Sequence, residues 1–143
     1  MKKYSFILLL LLSPQLLMAS PDSKPFAQER IVLQISDEDP SKQTLVLNVA
    51  SNLLKYYGPD KVDIEIVAFG PGLRLLFKEN ANSSRINNLS QSDVTFAACE
   101  NTLSKMTSIL GHKPQLNSHA KSVSAGVVRI IELENQGFKL IKP

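Results

Sequence analysis

From Arg30 onward, short β-branched runs alternate with segments whose apolar residues recur every three or four positions, with Gly or Pro at several of the changeovers. That alternation is the strongest constraint on the fold. Strands separated by helices are joined by crossovers, so they pair in parallel and build a layered α/β sheet. "RIVLQIS" reads as a buried strand bounded by the turn-like "DEDP". Asp39 then suits an N-cap, with Pro40 in the first helical position, where its fixed φ helps and its missing N–H costs nothing. Leu45, Val46, Val49, Ala50, Leu53 and Leu54 carry the helix to about Tyr57, and Gly58-Pro59 end it.

"KVDIEIVAFG" alternates Val62, Ile64 and Ile66 with Asp63 and Glu65, which predicts a second strand with one partly wet face. Gly70-Pro71-Gly72 stops it. "LRLLFKEN" and "RINNLSQS" read as two short helices, the second with Ile86 and Leu89 inward, and "VTFAA" as a third strand. Cys99 to Leu110 has Leu103, Met106 and Leu110 at helical spacing, residues 111–121 form a polar loop, and "SVSA" is a brief fourth strand. "GVVRIIELENQG" is β-branched enough for a strand, but Val127, Ile130, Ile131 and Glu134 keep helical spacing and Gly137 suits a helix end. "FKLIK" completes a β-α-β-α-α-β-α-β-α-β order with about five strands in a mostly parallel sheet.

Before this domain, residues 1–19 read as an export signal: Lys2 and Lys3 form a basic start, and Phe6 to Leu12 with Leu16 to Met18 form an apolar stretch interrupted by Pro14. Cleavage after Ala19 leaves residues 20–29 as a flexible lead-in to a domain over 30–143, in a periplasmic or secreted protein. No later apolar run approaches the roughly 20 residues of a membrane-spanning helix. The 16 basic residues less Lys2 and Lys3 leave 14 against 13 acidic ones, and there is no Trp and no Lys/Arg cluster, so nucleic acid is not a predicted partner. One cysteine cannot close an intramolecular disulfide, which excludes the stapled class of small secreted domains.

In an open parallel sheet, ligands lie beyond the carboxyl ends of the strands. Those ends supply Ser36-Asp37, Phe69-Gly70-Pro71-Gly72, Ala98-Cys99 and Ser124-Ala125-Gly126. Cys99 is the nucleophile among them, placed at a helix start whose unpaired N–H groups favour thiolate. Glu100 opposes this if it points inward. The plain alternative is a small apolar filler, since free Cys is among the most buried residue types. Other groupings are weaker: "GPG" lacks the spacing of a phosphate loop and reads as a turn. His112 and His119 fit no compact metal motif. Arg74 and Arg129 are candidates to face an anion, Asn48 and Asn52 share a helix face, and "NSS" and "NLS" match the glycosylation pattern.

The stretches "VAFGPG", "VTFAACENTLSKM" and "SAGVVRIIELENQGFKLIKP", together with the opening strand and helix, resemble the DsrE/DsrF-like family in its exported, intracellular-sulfur-oxidation-like branch, over nearly all of residues 30–143. The resemblance implies a three-layer α/β/α domain that assembles into homo-oligomers, commonly trimers or hexamers, with sites near subunit boundaries. It further implies that sulfur is carried as a persulfide on a cysteine at the position of Cys99. On that reading the Asn101 and Thr102 amides are the anion donors, Phe69 and Gly70 shield the group, a donor or acceptor protein is the partner, and no cofactor is required. A non-catalytic oligomeric binding module with a structural cysteine, or a redox cysteine that dimerises or takes up glutathione, are the alternatives.

Overall fold

The computed structural model describes residues 24–143; the expected signal, and the lead-in before Lys24, lie outside them. The element order is β1 (Glu29–Ile35), α1 (Pro40–Tyr57), β2 (Val62–Ala68), a 3₁₀ helix (Gly70–Leu76), α2 (Ser83–Gln91), β3 (Thr95–Cys99), α3 (Glu100–Leu110), β4 (Ala120–Val123), α4 (Gly126–Asn135) and β5 (Lys139–Ile141). All five strands are parallel, in the spatial order β4-β3-β2-β1-β5. Helices cover both faces, so the domain is a three-layer α/β/α sandwich.

The layers are unequal because the two faces carry different side chains. Ile31, Leu33 and Ile35 of β1, Ile64 and Ile66 of β2 and Phe96 of β3 point to one face, where α1, α2, α3 and the 3₁₀ helix close a large core. Burial of this apolar area is the main stabilising term. The opposite face holds Val32, Val67 and Ala97 beneath Ile130 and Leu133 of α4, with Phe138 at its edge. A single ten-residue helix covers it.

Local signals explain the element ends. Asp39 Oδ1 accepts from the Ser41 amide at 2.7 Å, the capping bond expected of it. Gly58, at φ +87°, turns the chain out of α1 while its amide donates to the Leu54 carbonyl. The "GPG" segment does more than stop β2: it opens the 3₁₀ helix. A Cβ on Gly72 would stand 2.6 Å from the Ile35 carbonyl carbon, so only glycine lets this turn lie against the end of β1.

Three expectations are corrected. The inward stripe of α1 is Gln43, Val46, Leu47 and Ala50, whereas Leu45 is 44% exposed, because the sheet meets a face rotated from the one the spacing suggests. Gln43 tolerates burial because its Oε1 accepts from Asn80 Nδ2. The lead-in is not loose up to Arg30: Glu29 already belongs to β1, and the Lys24 amide donates to Asp63 Oδ2 at 3.2 Å. Finally, β2 has no wet face. Asp63 and Glu65 are 6% and 5% exposed, since β2 sits at the centre of the sheet and α4 crosses its polar side.

Glu65 is buried with a partner. Arg129 of α4 grips it with both prongs, Nε to Oε1 and Nη2 to Oε2, each at 2.7 Å. Hydrogen bonding to Glu65, against the opposing effect of burial, holds the guanidinium above its ordinary value. Arg129→Met should therefore destabilise the domain by about 3–5 kcal/mol in urea unfolding, because it strands a carboxylate in the layer between helix and sheet. Adding Glu65→Met should recover most of that loss; a double variant as unstable as the single one would show that the ion pair is not what fixes α4.

Candidate functional site

Cys99 ends β3 and stands at the cap position of α3, with extended φ and ψ of −69° and 116°. The chain leaving β3 enters α3 on the large-core face. The chain leaving the neighbouring β4 enters α4 on the other face. Adjacent strands whose connections part to opposite sides open a crevice at their carboxyl ends, the point where open α/β sheets place ligands. Cys99, paired in register with Val123 of β4, lies at that point.

Two helix starts consequently converge on one sulfur. The Asn101 and Thr102 amides come from the first turn of α3, and the Gly126 amide from the start of α4. The Thr102 hydroxyl also bonds the sulfur. Its oxygen accepts from the Gly70 amide at 2.9 Å, which leaves the hydroxyl proton free to donate. Desolvation is the largest single influence on Cys99 and pushes the thiol up. The Thr102 hydroxyl and then the Thr102, Gly126 and Asn101 amides oppose it, and together they hold the thiol below its ordinary value.

Each expected site residue has a definite place. Thr102 lies at the sulfur, and Gly70 donates its amide to the Thr102 hydroxyl rather than to the sulfur. Asn101 contributes its backbone amide, which also reaches the Ser124 carbonyl at 3.3 Å, while its side chain is exposed. Phe69 packs against the start of α4: a Cβ on Gly126 would lie 3.0 Å from Phe69 Cβ and Cδ1, so the glycine makes room for the ring. Glu100 projects to solvent. Cys99 itself is nearly buried, only 5% exposed. Gly126 was missed as a sulfur partner; the signal for it was a glycine at a helix start directly after a short strand.

The weaker candidates disperse. Arg129 faces Glu65, and Arg74 pairs with Glu38 at 2.9 Å. Asn48 accepts from Arg85, and Asn52 is exposed. His112 and His119 are both exposed, and no group of three metal-ligating side chains occurs among the described residues.

Fold and crevice together define an open parallel α/β/α domain with a hydrogen-bonded cysteine at its topological switch point. Comparison with known proteins adds a structural likeness: the chain is similar to the protein of unknown function MTH1491 from Methanobacterium thermoautotrophicum, with a TM-score of 0.73 and 29% identity over 80% of this chain and 99% of that one. No family model matches, and no curated protein matches.

The depressed thiol has a pH signature. The native protein should show thiolate absorbance at lower pH than the urea-unfolded chain, and Thr102→Val should move the native midpoint upward while the fold is kept. Because the folded value is the lower one, ionisation adds stability that is complete above the unfolded thiol's pKa and disappears as pH falls through the folded one. Coincident native and unfolded titrations would show that the amides do not stabilise the anion.

Proposed function

We propose that this protein handles sulfane sulfur as a persulfide on Cys99, as a relay of the DsrE/DsrF-like kind in an exported setting. The observation that carries this reading is the place of one sulfur between two helix starts: Cys99 ends β3 as the cap of α3, beside the edge strand that leads into α4, and hydrogen bonding there favours the anion against desolvation. A cysteine that only fills core space has no use for such a place.

The chemistry follows from that anion. The Cys99 thiolate attacks a terminal sulfur of a polysulfide or a donor persulfide. A sulfur–sulfur bond forms to Cys99 as the donor's own sulfur–sulfur bond breaks, and the donor leaves as a thiolate or shortened polysulfide carrying the displaced electron pair. A second thiolate on an acceptor reverses the step. No external oxidant or reductant enters. The same amides that favour the thiolate suit a perthiolate, since its negative charge needs fixed donors in a site with little water. Phe69 and Gly70 form the wall that limits solvent, and a homo-oligomer with the crevice near a subunit boundary would frame the entry.

One observation favours the second reading, a non-catalytic oligomeric module with a structural cysteine: Cys99 is nearly buried. The readings part on treating the native protein with polysulfide and weighing it intact. A relay should gain one sulfur atom, lose it on reduction, and fail to gain it as Cys99→Ser. A thiol that takes up neither sulfur nor a thiol label until the chain is unfolded would leave the structural reading standing.

A further inference from the structure

Away from the thiol, a depression of about 740 Å³ lies between the 111–118 loop, α2 and α3. Cys99 does not line it. Its base is apolar, from Leu103 and Leu116, and its rim is polar. Lys78 and Lys113 supply two positive charges, and among the described residues no carboxylate lines it. A volume of this size matches sites that take small organic ligands.

The walls are built rather than incidental. The loop is tied to the end of the 3₁₀ helix by a short antiparallel pairing: the Lys78 amide donates to the Gln115 carbonyl at 2.9 Å, the Asn117 amide donates to the Leu76 carbonyl at 2.8 Å, and Phe77 bridges Leu116. Asn117 is 7% exposed and lines the depression. Its Oδ1 accepts from the His119 amide at 2.9 Å, and its Nδ2 donates to Asn87 Oδ1 at 3.4 Å, a long bond that engages one of its two protons. Its second amide proton is available to an acceptor in the depression. The occupant suited to that donor, two ammonium groups and the Ser118 and Ser122 hydroxyls is an acceptor-rich anion.

We propose that this depression binds a small organic anion, a phosphate- or carboxylate-bearing molecule whose charged group lies between Lys78 and Lys113 and accepts from Asn117 Nδ2. Binding is then electrostatic in part and weakens with salt. The proposal does not depend on Cys99.

The test is titration of the full mature chain, labelled with ¹⁵N, with inorganic phosphate, with citrate, and with glucose as a neutral control. Phosphate, citrate or both should give saturable shifts at the 113–118, Lys78 and Asn87 amides, with phosphate alone or citrate alone defining the anion class. A Lys78→Glu, Lys113→Glu variant with a dispersed spectrum should lose at least about tenfold in affinity. Glucose should give none of these shifts. Absence of saturable shifts with both anions, shifts unchanged in the charge-reversed variant, or equal shifts with glucose would overturn the proposal. Asn117→Asp, which puts an acceptor where the donor stands, should weaken binding as well.

Discussion

Two neighbouring strands send their connections to opposite faces of the sheet, and the site depends on that parting. α3 departs from β3 toward the large core; α4 departs from β4 toward the other side. If both connections ran on one face, one helix start would be displaced and the sulfur would keep only the α3 amides. With opposed crossovers, the Gly126 amide reaches Cys99 from the far side, and the thiol is held between two positive helix ends. The clamp of Arg129 on Glu65, one turn into α4, keeps that second end in place over the centre of the sheet.

Magnitudes decide what such a site does. Placing an anion where only a few per cent of the residue meets water costs several kcal/mol if it has no partners. A hydrogen bond to a charged acceptor contributes about 1.5–3 kcal/mol, and a helix start adds up to about 2 kcal/mol in a partly buried setting. Donors set by a fold that is already ordered can therefore offset the desolvation of the sulfur. Thr102 shows how the ordering is done. The Gly70 amide donates to its hydroxyl oxygen, so the hydroxyl proton stays free for another acceptor.

The sequence carried the element order, the parallel sheet and the position of Cys99, because β-branched runs, helical spacing and Gly/Pro punctuation are local properties. It could not carry what depends on neighbours in space. The alternation of Asp63 and Glu65 in β2 has the pattern of a half-wet strand, yet α4 covers them, and Glu65 is made tolerable by Arg129, 64 positions away in the chain. Leu45 has the spacing of a core residue but sits just off the face that α1 turns to the sheet. The near burial of Cys99 was hidden for the same reason: the start of α4 at Gly126 reaches it through a connection whose side no local pattern records. Glu100 had the opposite fate: it is exposed, where solvent screens its charge.

β4 shows why such details are coupled. It is an edge strand of four residues, with little apolar area to fix its position, and its side chains alternate between the two faces. Val123 lies beside Cys99 in register, while Ser122, paired with Ala98, turns to the basic depression. A slip of one residue would exchange these roles, putting a hydroxyl at the thiol and a valine in the polar wall. The register is therefore set from both sides at once: by the Asn101 amide bonding the Ser124 carbonyl at the crevice, and by the 111–118 loop, whose antiparallel pairing to the 3₁₀ helix fixes how much chain remains to reach β4. The loop that shapes one cavity thus also holds the strand that borders the other.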